Sequence, residues 1–193
     1  LNNLSTRNST YTFNQLVTYA KKFGDHSFDV LLGHENYSYK YQYMYGMRES
    51  EIVAGVYELS NFTKIDELDS YTDRYKKEGY FFRGNYNYLD KYYGSLSYRH
   101  DGSSRFSKDS RWGDFWSFGA SWRISQENFM KDLKWVNNLK LRASYGETGN
   151  DALLDDDLND VWYAYQTLYY NGMNNAGEGG IFFQSFGNKD LKW

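Results

Sequence analysis

Residues Tyr92–Gly149 read YYGSLSYRHDGSSRFSKDSRWGDFWSFGASWRISQENFMKDLKWVNNLKLRASYGETG and contain the clearest fold signal of the sequence. Within Asp114–Ile124, every second residue from Trp116 to Trp122 is apolar, and the residues between are mostly small or polar. Successive side chains of a β-strand point to opposite faces, so this run predicts a strand with one apolar face. Leu139–Gly146 repeats the alternation.

The composition favours an all-β protein. Aromatic residues make up 21% of the 193 residues, and the chain contains 17 glycines but neither proline nor cysteine. Aromatic residues are enriched in strands, whereas glycine, asparagine and aspartate are enriched in turns. The net charge of −3 predicts no general attraction to nucleic acid. Without cysteine, these residues form neither disulfides nor thiolate metal sites.

Three more alternating runs precede this stretch, and the connections between the predicted strands have two lengths. The runs are Ser9–Lys22, Ser27–Tyr45 and Ser70–Leu89, after which Tyr92–His100 follows. Short connections are predicted at residues 24–26, 90–91 and 125–138, and long polar loops at 46–67, 101–113 and 148–188. Alternate connections of an up-and-down antiparallel sheet lie at opposite ends, so one end has the turns and the other the loops. This asymmetry is typical of a transmembrane β-barrel with short periplasmic turns and longer extracellular loops.

A soluble protein remains the alternative to a barrel at this point. The sequence contains no run of about 18 apolar residues, so it predicts no membrane helix. A β-barrel needs no such run, because its strands place apolar side chains at alternate positions only. A soluble or secreted β-rich carbohydrate-binding module would show the same alternation, with tyrosine and tryptophan rings stacking on sugars. The pattern alone does not distinguish the two.

Few side chains are candidates for function. The aromatic run at 161–170 is the strongest, because Trp162, Tyr163 and Tyr165 could contact a ligand or a lid protein. The three histidines lack metal-ligand spacing, and the aspartates of 151–160 lack the EF-hand pattern, which favours a solvated loop. We predict no catalytic residue, no metal site, no cofactor and no enzymatic activity.

Two local predictions concern the connections. Ser125–Leu133 predicts a short helix, with Ser125 as N-cap and Glu127 in the first turn. The closing NKDLKW at 188–193 predicts the start of a seventh strand.

Several motifs of the chain resemble one known family. They are RHDGSSRF at 99–106, RWGDFWSF at 111–118, WRISQE at 122–127 and LKLRASYGETGND at 139–151. Together they resemble the barrel of SusC/RagA-type TonB-dependent outer-membrane transporters of Bacteroidota. Residues 13–35 and 188–193 share the resemblance, although Lys189 stands where the family usually has proline.

The resemblance implies an architecture and a function. Residues 1–193 would be part of the β-barrel domain, about six to seven strands of a barrel of roughly 22 strands with a plugged lumen. The plug domain, the TonB box and the C-terminal end of the barrel are expected to lie outside these residues. The implied function is import of glycans or peptides across the Gram-negative outer membrane. The implied partners are the rest of the receptor, a SusD-like lipoprotein, TonB–ExbB–ExbD and outer-membrane lipid, with no nucleic acid.

The barrel interpretation also assigns the two faces of the strands. Side chains expected to face lipid are those of Trp116, Phe118, Trp122, Leu139 and Leu141. Side chains expected to face the lumen are those of Arg83, Asn85, Asn87, Ser117, Ser121, Arg123, Lys140 and Arg142.

Overall fold

The protein is described by a computed structural model, which covers the backbone of residues 1–193 and the side chains of residues 1–171 and 176–193. The strands are β1 (Asn2–Phe23), β2 (His26–Glu51), β3 (Phe62–Tyr88), β4 (Tyr92–Ser103), β5 (Trp112–Arg123), β6 (Lys140–Gly146), β7 (Leu168–Asn175) and β8 (Glu178–Ser185). In the described part of the chain, no helix has the length and apolar character needed to span a membrane.

The first six strands form one up-and-down sheet. Their spatial order is their order in the sequence, and β7 and β8 form a separate two-stranded sheet. The registers from β3 to β6 are antiparallel, with Tyr88 opposite Tyr92 and Tyr92 opposite Trp122. The predicted all-β class and up-and-down topology are confirmed.

The chain divides into two compact units. The first contains Leu1–Thr12 and Tyr37–Lys76, and the second contains Phe13–Asn36 and Lys77–Trp193. In the first unit, the side chain of Asn61 closes the β2–β3 connection, because its Nδ2 donates to the carbonyl oxygens of Val53 at 2.7 Å and of Val56 at 2.9 Å.

The loop predicted at 46–67 is too long at both ends. Strand β2 continues to Glu51, a 3-10 turn covers Leu59–Asn61, and β3 begins at Phe62. Residues 63–72 are exposed on both faces of β3 and mostly polar, so hydrophobic alternation gives no signal there. Hydrogen bonding to neighbouring strands defines the segment instead.

In the second unit, the apolar side chains of the sheet are more exposed than the polar ones. Along β5, Trp116 is 42% exposed and Phe118 52%, while Ser117 between them and Gly119 after Phe118 are half-buried. Among the described residues of the whole chain, only Tyr75 and Phe106 are buried apolar side chains. Soluble domains bury most of their large apolar side chains, so the soluble-module alternative is not favoured.

Backbone hydrogen bonds join the short connections of the second unit to one another. The amide of Leu89 donates to the carbonyl of Asp25 at 2.9 Å, and the amide of Arg123 donates to the carbonyl of Lys91 at 2.7 Å. The β3–β4 turn has positive φ at both Leu89 and Asp90, as a type I′ hairpin turn requires. We call this end of the sheet, formed by residues 24–25, 89–91 and 124–139, the turn end.

The prediction of a helix at Ser125–Leu133 is wrong. The segment forms two 3-10 turns, Ile124–Gln126 and Asn128–Met130, and Ser125 lies inside the first rather than capping it. Glu127 between them is extended, with φ −76° and ψ 152°, because its carboxylate is bound by side chains of neighbouring strands.

Two predictions for the C-terminal part are also corrected. The long loop predicted at 148–188 contains the β7–β8 hairpin. Residues 188–193 form a turn and irregular structure rather than a strand. The Trp193 ring packs against Phe106 at 5.6 Å and Phe115 at 5.3 Å between ring centroids, so the segment folds back within the second unit instead of extending as a strand.

Candidate functional site

One face of strands β3–β6 is lined by polar and small side chains, and we call it the polar face. The register places Asn85 opposite Ser95 and Ser95 opposite Gly119, so alternate residues of successive strands share this face. It contains all the side chains that the barrel interpretation assigns to the lumen: Arg83, Asn85, Asn87, Ser117, Ser121, Arg123, Lys140 and Arg142.

The polar face borders an open cavity of about 640 Å³, lined among others by Asp29, Asn85 and Ser121. Asn85 Nδ2 donates to Asp29 Oδ2 at 2.7 Å, and the hydroxyls of Ser97 and Ser117 are hydrogen-bonded at 2.6 Å. A Cβ on Gly119 would lie 2.6 Å from Ser95 Oγ, so glycine permits the close approach of these strands. The polar face is therefore an open surface rather than an enclosed pocket.

The opposite face, which we call the apolar face, holds Trp116, Phe118, Trp122 and Leu141. Trp122 stacks on Tyr92 with 6.5 Å between ring centroids, and Trp116 packs against Tyr145 at 5.5 Å. Leu139, the fifth side chain assigned to lipid, precedes β6 and is 44% exposed.

Glu127 ties the connection between β5 and β6 to the preceding turn. Its carboxylate accepts hydrogen bonds from Tyr92 Oη at 2.5 Å, Lys91 Nζ at 3.0 Å and Trp122 Nε1 at 3.1 Å. The side chain of Glu127 is only 14% exposed. These bonds, that of the Tyr92 hydroxyl above all, lower the pKa of Glu127 to about 2.

At the other end of the sheet, the segment that follows β6 folds back on the polar face. Asp151 accepts hydrogen bonds from Lys77 Nζ at 2.9 Å and Ser103 Oγ at 2.8 Å. Lys77 and Ser103 are opposite each other in the β3–β4 register. The interpretation of Asp151 as part of a solvated loop is wrong, because its side chain is 10% exposed and ion-paired.

Arg105 binds the next part of this segment, residues 153–162. Its guanidinium binds Asp160 Oδ1 at 2.5 Å, donates to the carbonyl of Leu153 at 3.3 Å and lies 4.4 Å from the centre of the Trp162 ring. Sequence reasoning missed this contribution of Arg105, because the partners lie 48 and 55 residues away. The only available signal was the position of Arg105 inside the family-like motif at 99–106.

The three aromatic candidates of this segment are half-buried. The Arg105 guanidinium packs on the ring of Trp162, and the Tyr165 hydroxyl accepts a hydrogen bond from the Gln166 side chain at 2.6 Å. Tyr163 lies between them in the same segment. Asp155 in the adjoining loop is bonded by the amides of Asp157 and Asn159, and the Asn159 amide chiefly lowers its pKa.

In the described part of the chain, no group of three or more acidic or histidine side chains is arranged to hold a metal ion. The polar networks at both ends of the sheet connect strands and loops to each other.

Comparison with known proteins identifies similar sequences and structures. A family model described as TonB dependent receptor-like, beta-barrel matches residues 1–193. The chain is 36% identical over 158 residues to TonB-dependent receptor SusC of Bacteroides thetaiotaomicron, covering 82% of the chain and 15% of that protein. It is 30% identical over 202 residues to TonB-dependent receptor P3 of Formosa agariphila, covering 97% of the chain and 19% of that protein.

The fold is also found among solved structures. The structure of the RagAB peptide transporter superposes with a TM-score of 0.87 at 24% identity, covering 100% of the chain and 21% of the solved chain. The open-open state of the RagAB peptide importer gives a TM-score of 0.84 over the same shares. The chain therefore spans between 15% and 21% of the length of these relatives.

Proposed function

The chain belongs to the TonB dependent receptor-like β-barrel family, and from that premise we propose that it is a section of the wall of an outer-membrane nutrient importer. Residues 1–193 would lie within the barrel domain of a larger receptor. The observation that supports this most strongly is the exposure of large apolar side chains on one face of the sheet, Phe118 at 52% and Leu141 at 61%. Lipid is the solvent that such a face requires.

The two faces of the sheet then have different surroundings. The apolar face, with Trp116, Phe118, Trp122, Leu139 and Leu141, contacts lipid. The polar face contacts the water and protein of the lumen, through Arg83, Asn85, Asn87, Ser117, Ser121, Arg123, Lys140 and Arg142. The turn end lies in the periplasm and the loops lie outside the cell, since barrels of this kind have short periplasmic turns.

The partners follow from the family. We propose that the intact receptor draws energy from TonB–ExbB–ExbD and works with a SusD-like lipoprotein at its extracellular side. Its nutrient would be a glycan or a peptide, the two classes that the family resemblance implies. Trp162, Tyr163 and Tyr165 are the candidates for contact with the nutrient or with the lipoprotein, since they lie in the segment that follows β6.

Spin labels on neighbouring residues of β5 test the assignment of the faces. The chain has no cysteine, so Phe118→Cys and Ser117→Cys each add one labelling site to these residues. In the full-length receptor in a bilayer, relaxation of the label at 118 should be accelerated by dissolved oxygen, which partitions into lipid. The label at 117 should respond to a water-soluble nickel chelate instead. Equal access of the chelate to both labels would refute the barrel and favour the soluble module.

A further inference from the structure

Three cations converge on the polar face at the turn end. Arg123 is directly opposite Lys140 in the β5–β6 register, and Arg142, opposite Ser121, follows two residues after Lys140 on the same face. Like charges directly opposite each other destabilise an antiparallel pair. We call Arg123, Lys140 and Arg142 the turn-end cation cluster.

The aromatic ring of Tyr93 contacts two members of the cluster. Lys140 Nζ lies 3.9 Å from the ring centre, and the Arg123 guanidinium carbon lies 5.8 Å from it. The Tyr93 hydroxyl itself donates to the carbonyl of Asp90 at 2.8 Å. One ring attracts both cations through its face but adds no negative charge, so the repulsion between them is not neutralised.

Three carboxylates near the cluster are engaged elsewhere. Glu127 binds Lys91, Tyr92 and Trp122, Asp90 accepts a hydrogen bond from Asn87, and Asp29 accepts one from Asn85. No member of the cluster forms an ion pair with any residue that the structure describes. The Nε atom of Arg123 is buried and has no hydrogen-bond partner among the described residues.

We infer that the turn-end cation cluster binds a carboxylate of a segment of the same receptor that lies outside residues 1–193 and fills the barrel interior. This inference rests on the proposed function, since it requires the polar face to be the lumen wall. The relatives are five to seven times longer than the stretch they share with this chain, so most of such a receptor lies outside it. A carboxylate accepts paired hydrogen bonds from a guanidinium, and its negative charge between two cations offsets their mutual repulsion.

A permanent protein carboxylate fits the position of the cluster better than a transported solute. The cluster lies at the turn end, opposite the end from which a nutrient would enter. Its like charges face each other in the folded sheet whether or not a nutrient is present, so a carboxylate that stays with the receptor offsets their repulsion at all times.

Zero-length cross-linking with a carbodiimide tests this in the full-length receptor. The reagent joins a lysine amine to a carboxylate in direct contact, and mass spectrometry identifies the linked residues. Lys91 and Glu127, 3.0 Å apart, supply an internal positive control. We expect Lys140 to be joined to an aspartate or glutamate outside residues 1–193. If Lys91 is joined to Glu127 while Lys140 is unlinked, or linked only within residues 1–193, the inference is overturned.

The sign of a stability change gives a second test. The test is made in a Tyr93→Leu background, which already lacks the cation–π contact to Lys140. With the carboxylate in place, K140Q then removes an attraction and lowers the unfolding midpoint of the full-length receptor. Without it, K140Q removes only the repulsion from Arg123, and the midpoint stays or rises, which would overturn the inference. K134Q, at an exposed lysine of the same connection, is the matched control and should leave the midpoint unchanged. The spin labels at 117 and 118 report on the barrel independently, so failure of the proposed function would be recognised separately.

Discussion

Ser103 donates a hydrogen bond to Asp151 at 2.8 Å across 48 residues of sequence, and both side chains are buried. Lys77 completes the group by an ion pair with the second carboxylate oxygen at 2.9 Å. A residue of the segment after β6 is thereby fixed to two adjacent strands. The start of that segment is part of the folded sheet rather than a free loop.

Replacement of Asp151 should loosen this attachment. Asp151→Asn removes the charge that pairs with Lys77 and weakens the bond to the buried Ser103, so we expect a loss of about 1–3 kcal/mol in unfolding free energy. Denaturation of the full-length receptor would measure it, and protease cleavage between residues 152 and 167 should accelerate. Asp156→Asn, at an exposed position of the same acidic run, should have no effect. Equal behaviour of the two variants would contradict the assignment.

The stability of the turn end should depend on pH through Glu127. Its pKa in the folded protein is about 2, below the ordinary value of 4.5, so the carboxylate stabilises the fold at any pH above its unfolded pKa. That contribution declines as the pH falls from 4.5 towards 2 and is absent below both values. The difference in unfolding midpoint between the wild type and Glu127→Gln should therefore be constant above about pH 5 and shrink in acid. A difference that persists unchanged at pH 2 would disprove this explanation.

Substitution of Phe118 by arginine should impair assembly into the membrane. Phe118 is near the middle of β5, and an arginine on the lipid face of a barrel costs about 2–4 kcal/mol at the bilayer midplane. Ser121→Asn, on the polar face of the same strand, should be close to neutral. Folding yield into vesicles, followed by heat-modifiable electrophoretic mobility, compares the two. If both variants fold equally well, Phe118 does not face lipid.

Replacement of Trp162 should lower stability, whereas replacement of Tyr165 should weaken binding. Trp162→Ala removes the ring on which Arg105 packs, and we expect a loss of stability that includes about 0.5–2 kcal/mol from the cation–π contact. Tyr165→Ala should leave stability nearly unchanged and weaken nutrient or lipoprotein binding, if the proposed contact role is correct. Thermal unfolding and binding assays on the same receptor preparations separate the two effects. Reduced stability in both variants would assign both rings to packing.

The sequence predicted the fold where hydrophobic alternation was strong. Trp116–Trp122 alternates cleanly, and the predicted strand at Asp114–Ile124 differs from β5 by one or two residues at its ends. The beginning of β3 at Phe62 was missed, because residues 63–72 have no apolar face to reveal their period. Local propensity failed at Ser125–Leu133, where contacts from Lys91 and Tyr92 to Glu127 override a helical preference.

The polar networks were harder to predict than the strands. Asp151 binds side chains 48 and 74 residues away, and no local pattern encodes which aspartate of an acidic run will be buried. Alternation alone predicted which side chains share a face of the sheet, because successive side chains of a strand point to opposite faces. Their partners depend on register, which the sequence does not reveal.

The backbone bonds at the turn end have a consequence for the strand ends. The Arg123–Lys91 bond continues the β4–β5 ladder one position beyond Tyr92 opposite Trp122, and the Leu89–Asp25 bond joins the turn before β2 to the turn after β3. Strand pairing therefore runs into the turns instead of stopping short of them. We expect the strand ends at the turn end to fray less than ends whose pairing stops before the turn.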